Sequence, residues 1–466
     1  LQLRDEQQTH TLPSSIEQQR SLARSLGYKN FDAEKARQQL LSELKDVMGR
    51  VRAIFNGLFS LKHLEIEASI RKCARIKNFS NTEKNFIESF SQQLVPLISQ
   101  DTKNHFQRLF ESINVQIEFY RKLSQYPSAL SRLTRIAETS EMLWNYLLNN
   151  LELLEQLDNP VPDISVENLT KILEVQLTTC KGNEEEEIDQ LRQFKHKITF
   201  LLGSAEMEGL VSYEHARIGL TALAEIIVRA AFDLSKNSLA TRYGEVKDFD
   251  GGPCNFSIVG LGKLGGEEMT YHSDLDLIFI HSGEGATTGP SVIGAQEYWI
   301  KIIQRLISCL STITRTGFAY KLDTRLRPSG NAGVLVSSLD TYLNYHDSSE
   351  TWEHQALIKA RVIGGSGNSE WFQQVEEVLH RAVYEWDPPS DLKARINYLR
   401  QRKEKELSGE TKHQLNIKEG RGGLLDVEYL TQALQLKHGR FSPQLQKSKT
   451  MEVLSELGRN SIIKQQ

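Results

Sequence analysis

The chain has 466 residues, enough for two or three domains. Its 56 basic and 60 acidic side chains leave a net charge of −4, which argues against bulk electrostatic binding to nucleic acid and leaves room only for a local basic groove. No apolar run approaches the roughly 18 residues that a membrane span needs, so no membrane partner is expected, and Cys73, Cys180, Cys254 and Cys309 are too scattered for zinc and fit reduced thiols of a cytoplasmic protein.

Residues 1–60 read as helix with a break around Leu12-Pro13-Ser14-Ser15, where Ser15 and Gln18 have the spacing of a capping box. The start has no signal-peptide character and no initiator Met, so the chain reads as an excised segment. The helical pattern continues from 61 to 158, with Leu143, Leu147, Leu151 and Leu154 on one face, and Pro160 and Pro162 end it. Glu184–Glu187 reads as a solvated helix face, and Leu220, Leu223, Ala224, Ile227, Ala231 and Leu234 as the buried stripe of a further helix.

At Gly251-Gly252-Pro253 the texture changes. Strands are expected at Asn255–Leu261, Leu275–His281, Tyr320–Leu326 and Val334–Ser337, with a helix through Ile303, Leu306 and Leu310. Helix returns through Trp352–Arg361, Trp371–Tyr384, Leu392–Leu407 and Leu424–Leu436. The expected fold class is α+β and predominantly helical, with a small mixed-sheet catalytic domain flanked by helical domains. Expected boundaries are 1–60 for a helical tail, 61–200 for a helical region, 201–345 for the catalytic domain and 346–466 for a C-terminal helical bundle.

The chemistry concentrates in GLGKLGGEEMTYHSDLDLIFIH, residues 260–281. Asp274 and Asp276 are two apart on an apolar strand, so both carboxylates share one face. Like charges so close call for a cation, and Mg²⁺ accepts carboxylate and phosphate oxygens together. Gly260, Gly262 and Gly265 spell the dinucleotide fingerprint, but the next strand follows too soon for a βαβ unit. A Walker A loop is excluded because Leu264, not Ser or Thr, follows Lys263. Gly265-Gly266 and a short helix at about Gly266–Thr270 are expected to hold nucleotide phosphates, with Lys263 neutralising charge. Asp323, 47 residues after Asp276, sits on a later strand and completes a three-carboxylate site for two metal ions, or acts as a base; Arg325 and Arg327 follow as phosphate ligands.

A glycine pair, a short helix, D-x-D on a strand and a later strand acid resemble the DNA polymerase β-like nucleotidyltransferases. The longer segments GLGKLGGEEMTYHSDLDLIF, DTRLRPSGNAGVLVSS, TWEHQALIKARVI and GRGGLLDVEYLTQ resemble the signatures of the glutamine synthetase adenylyltransferase (glutamate–ammonia-ligase adenylyltransferase) family. RPSG at Arg327–Gly330 and WEHQAL at Trp352–Leu357 are similar to that family's C-terminal, adenylylating half rather than to its adenylyl-removing half. The resemblance implies transfer of AMP from ATP to a tyrosine of glutamine synthetase, with Mg²⁺, a PII-type signalling protein as partner and glutamine as effector. It carries the metal role onto Asp274, Asp276 and Asp323, and nucleotide binding onto Gly265, Gly266 and Ser273. It also implies that Glu353, Lys359 and Arg361 line the site from the helical side, with Lys359 joining Lys263, Arg325 and Arg327 on the nucleotide. Asp426 and Glu428 do not share a helix face and fit polar contacts to that segment or to the active-site loops. Phosphorolytic removal of AMP, or a scaffold that binds nucleotide or a PII-type protein without turnover, are the alternatives. The family's last helices read as cut short after about residue 440, which fits a fragment or a shortened homologue.

Overall fold

The computed structural model describes residues 15–28, 32–48, 50, 80–82, 85, 89, 94, 98–99, 101–112, 127–157, 163–314, 316–346, 349–411 and 415–463. The chain divides into two compact units, Leu1–Pro160 and Val161–Gln466. Leu12–Ser14, Cys73, Pro160, Pro162 and the side chain of Gln18 lie outside the described residues.

The first unit is helical where described. A helix at Ile16–Ser25 starts directly after Ser15. Others span Lys103–Ser112, Pro127–Thr139 and Glu141–Asn149. The leucine stripe does not run through one helix. Leu143 and Leu147 are buried in Glu141–Asn149, the chain leaves helical geometry at Asn150, and a 3-10 turn at Leu151–Gln156 buries Leu153 instead of Leu151 or Leu154. Two successive asparagines, weak helix formers that bond their own backbone, explain the break.

The second unit opens with three helices: α1 (Val166–Thr179), α2 (Glu184–Met207) and α3 (Tyr213–Tyr243). The acidic run lies in the first turn of α2, where four carboxylates favour the positive end of the helix. Next come β1 (Val246–Lys247), β2 (Phe256–Gly260), α4 (Gly262–Gly265), β3 (Leu275–His281) and β4 (Ala286–Thr287). They are followed by α5 (Ala295–Ser311), β5 (Leu322–Asp323), β6 (Ser337–Ser338), α6 (Leu339–His346) and α7 (Thr351–Leu357). The chain then forms β7 (Arg361–Ser366), α8 (Ser369–Tyr384), α9 (Leu392–Leu407), α10 (Leu424–His438) and α11 (Thr450–Arg459).

The main sheet runs β5-β3-β2-β7, with β6 also paired to β3. It is mixed: β2 is antiparallel to β3 and β7, while β5 and β6 are parallel to β3. An antiparallel β2–β3 pair cannot be the parallel crossover of a dinucleotide fold. On one face Phe256 stacks on Phe232 of α3 and Trp299 of α5, with centroids 5.4 and 4.4 Å away. On the other face Val259, Ile278 and Ile280 pack with Leu339, Leu357, Trp371 and Leu436 of the later helices.

Four expected elements differ. The short glycine helix covers Gly262–Gly265, not 266–270, because Gly262 turns into it at φ +53 and Glu267, at φ +54, ends it. The strand expected at 320–326 is only Leu322–Asp323, since the Asp323 side chain takes the Arg325 amide (2.9 Å) and turns the chain. The strand expected at 334–337 is Ser337–Ser338. The helix expected at 352–361 ends at Leu357 and is followed by the unexpected strand β7.

Helix α8, which covers the sheet, is capped by Asn368, whose side chain accepts the Trp371 amide at 2.9 Å. Asn368→Ala is expected to cost about 1 kcal/mol. Urea unfolding should show a lower midpoint at unchanged slope.

Candidate active site

Strand β3 alternates its side chains. Leu275, Leu277 and Phe279 join the cluster of Phe232, Phe256 and Trp299, whereas Ile278 and Ile280 face the opposite cluster. Asp276 has the parity of Ile278, so its carboxylate lies on the face covered by α6–α10, and Asp274, one residue before β3, is close enough for its charge to act on Asp276. Strand β5 runs parallel beside β3 with Asp323 opposite Asp276, which brings the third acid to the same edge.

The electrostatics separate these acids. Burial, then the charges of Asp323 and Asp274, push Asp276 up to about 6, partly offset by Lys403 and Arg325. Asp323 moves the other way. Arg325 donates from Nε at 2.9 and 3.0 Å and from Nη2 at 2.5 Å, holding that carboxylate below the usual range. An acid held down in this way is a weak base, which does not suit it to taking a hydroxyl proton. The guanidinium itself is raised by Asp323 first and then by Asp276 and Asp274, so one exposed cation sits in the field of all three acids. Among the described residues, no three His, Cys, Asp or Glu side chains form a ready metal cage. The donor set still suits a hard divalent cation: it is all carboxylate oxygen, with excess negative charge at Asp276.

The glycine nearest the acids is Gly262. A Cβ added there would lie 2.3 Å from Asp276 Oδ2, and the Leu261 amide donates to the Asp276 carbonyl at 2.9 Å. Gly265 and Gly266 are buried behind this point. A Cβ at Gly265 would lie 1.9 Å from the Lys359 carbonyl oxygen and 2.4 Å from that of Gly260, and one at Gly266 would lie 2.9 Å from Lys359 Cδ. Arg361 covers the end of α4, donating to the carbonyls of Leu264 (3.3 Å) and Gly265 (3.4 Å) and pairing with Glu225 at 2.5 Å.

The remaining sequence-predicted residues divide. Half-buried Lys263 reaches Thr270 Oγ1 at 3.5 Å, and burial, then the Lys418 charge, press its pKa down. Ser273 accepts the Thr270 amide at 3.0 Å and so holds the turn before Asp274. Arg327 spends its donors on Thr324 and the Gly333 carbonyl. Lys359 is buried and bonded to Glu268 at 2.8 Å and Glu428 at 2.5 Å; burial lowers its pKa, but the two carboxylates outweigh this and raise it. Glu353 joins a capping box with Glu350 and accepts the Tyr345 hydroxyl. Asp426 pairs with Arg400 at 2.5 Å, so Asp426 and Glu428 serve separate contacts. The structure thus gathers Asp274, Asp276, Asp323 and Arg325, and sets Gly265, Gly266 and Lys359 into the packing behind them.

Lys403 and Lys418 were not singled out by sequence, and Gly262 stood out only as part of the rejected dinucleotide fingerprint. Lys403, exposed on α9, lies 5.6 Å from the Tyr429 ring centroid and acts on Asp276 from the helical side. Only its projection from a charged helix hints at this, and that pattern equally describes a solvated face.

Residues 130–377, just over half of the chain, match the family model of glutamate-ammonia ligase adenylyltransferase. The chain belongs to the glutamate-ammonia ligase adenylyltransferase family. The segments that family is matched on include every strand of the main sheet and all three aspartates. Residues 1–59 and 390–466 match a second model, GlnD PII-uridylyltransferase. A bifunctional glutamine synthetase adenylyltransferase/adenylyl-removing enzyme of Nitrosococcus oceani is 29% identical over 504 aligned residues, covering 96% of this chain and 51% of the relative. The chain therefore spans about half the length of the curated relative it matches. Among the described residues, no helix is long and apolar enough to cross a membrane.

Proposed function

We propose that the chain transfers AMP from ATP to a tyrosine hydroxyl of glutamine synthetase, and that this is done at Asp274, Asp276 and Asp323. The observation that supports it most is the in-register pairing of Asp276 with Asp323 beside Asp274, with Asp276 pushed up to about 6. Asp274 and Asp276 would hold Mg²⁺, with Asp323 joining as Arg325 leaves it; a pair of such ions would neutralise phosphate charge and polarise the α-phosphate. Arg325, exposed and paired with Asp323 two residues before it, would follow the phosphates. Lys263 and Lys403 would approach the triphosphate from α4 and from α9. Gly262 leaves space for the Asp276 carboxylate beside the nucleotide. Positioning and charge neutralisation carry most of the work in such a transfer.

The match of residues 1–59 and 390–466 to the PII-uridylyltransferase model supports a PII-type protein as regulatory partner; glutamine as effector rests on the sequence resemblance alone. Three buried free cysteines among the described residues support a cytoplasmic setting.

The test is incubation of the chain with ATP labelled in the α-phosphate and unmodified glutamine synthetase. Label is expected on the synthetase tyrosine, with release of pyrophosphate. Absence of label, together with ADP release from adenylylated synthetase and phosphate, would assign the opposite direction. Nucleotide binding with neither reaction would leave a scaffold.

A further inference from the structure

The loop between α4 and β3 carries Glu268, and three separate segments converge on its carboxylate. Oε2 accepts Lys359 Nζ at 2.8 Å, and Arg217 of α3 lies 3.5 Å from Oε1. Oε1 also accepts the Thr450 amide at 2.8 Å, and the Thr450 hydroxyl reaches Oε2 at 3.2 Å. Glu428 of α10 closes the cluster from the far side of Lys359. Burial pushes Glu268 up, but Lys359, the Thr450 amide and Arg217 more than reverse this. The cluster balances two carboxylates against two cations. No side chain of α11 caps its own first turn, and the carboxylate that meets its first amide comes from the loop leading to Asp274. The neighbouring Glu267 pairs with Lys449 at 2.7 Å, so loop and helix start are joined twice.

Inside the loop, Glu268 donates its amide to the Lys263 carbonyl (2.7 Å), and Ser273 and Thr270 bond each other's amides and side chains. These bonds, with Lys263 Nζ to Thr270 Oγ1 at 3.5 Å, brace the loop internally from Lys263 to Ser273, directly before Asp274. Among the described residues its outward polar anchors are Glu267, Glu268 and Tyr271, the last bonded to Glu206 of α2.

We propose that Glu268 is a positioning residue: it caps α11 and pairs with Lys359, so that docking of the C-terminal helix fixes the braced loop and, through it, Asp274 and Lys263. This rests on the nucleotidyl transfer proposed above. It predicts that loosening either end of the Glu268 contact lowers turnover without weakening nucleotide affinity to match.

The test uses the full chain and two variants. Glu268→Gln removes the charge. Thr450→Pro removes both the amide and the hydroxyl that Glu268 accepts, at the first helical position, where proline is tolerated, and after Lys449, whose ψ of 120° suits a residue before proline. Each is expected to lower kcat for AMP transfer roughly 10- to 100-fold, with KM for ATP within about threefold, the scale seen when an outer partner of a reacting group is lost. Amide exchange of residues 262–274 is expected to quicken at least about tenfold in both, with cooperative thermal unfolding retained. Glu214→Gln, which removes an exposed charge beside Arg217 that touches neither Glu268 nor Thr450, is the control expected to change neither reading. Folded variants with kcat within twofold of the parent and unchanged exchange at 262–274 would overturn the proposal. If the parent transfers no AMP, the functional reading fails by itself and the exchange measurement alone decides the coupling: quickened exchange supports it and unchanged exchange sinks it.

Discussion

Asp276→Asn is expected to lower AMP transfer by at least about a thousandfold while making the folded protein more stable above pH 6. The carboxylate is pushed up to about 6 by burial and by two neighbouring acids, above its ordinary value of 3.8. The native state therefore binds more protons than the unfolded chain between about pH 4 and 6. Stability is complete below that window, falls as pH rises through it, and stays reduced above it. Asparagine cannot ionise and escapes the penalty. By the shift alone the difference is at most about 3 kcal/mol, and solvent and counterions reduce this to a few degrees of Tm. The variant and parent should melt together near pH 4 and diverge by pH 8, the variant higher. Mg²⁺ should raise the parent's Tm at pH 8 more than the variant's, because the cation relieves the same repulsion. A folded Asp276→Asn protein with full activity, or one that melts earlier than the parent at pH 8, contradicts the assignment.

Gly265→Ala is expected to destabilise the second unit by about 3 kcal/mol, the upper end of ordinary overpacking costs. The new methyl would meet two backbone carbonyl oxygens, of Lys359 at 1.9 Å and Gly260 at 2.4 Å, and neither can swing aside. Gly266→Ala should be milder, since its nearest obstacle is the Lys359 Cδ at 2.9 Å and the nearest backbone oxygen is 3.2 Å away. Urea unfolding of the two variants measures the contrast. If Gly265 instead served chiefly as a phosphate contact, the alanine variant would keep its stability and show a raised KM for ATP. That result would remove the packing role assigned to it.

The legibility of the chain followed how local each signal was. The alternation of β3 placed Asp274 and Asp276 on one face, and an apolar segment around Leu322 placed Asp323 on a strand; both depend on neighbours within a few residues. Strand β7 was hidden because Arg361–Ser366 carries two glycines and directly follows a helical pattern. The strand around Asp323 was overextended because the acid's own side chain bonds the Arg325 amide and ends it. Lys359 looked like a phosphate ligand because its partners, Glu268 and Glu428, lie 91 and 69 residues away. Nothing in the local sequence announces a buried ion cluster assembled over such separations. The glycine pair illustrates the same limit: its lack of side chains was plain, but the nearest backbone that needs the space at Gly265 belongs to Lys359, 94 residues on.

The cluster at Glu268 also sets a timetable for synthesis. Its partner Thr450 lies 182 residues further along the chain. A ribosome adding 5–20 residues each second reaches that partner roughly 10–35 s after Glu268 is made. During that interval the acid-bearing hairpin can form while α11 does not yet exist. Contacts of such long range form late in folding. A nascent chain should therefore carry its aspartates in place before the loop ahead of them is anchored, with α11 supplying the late contact.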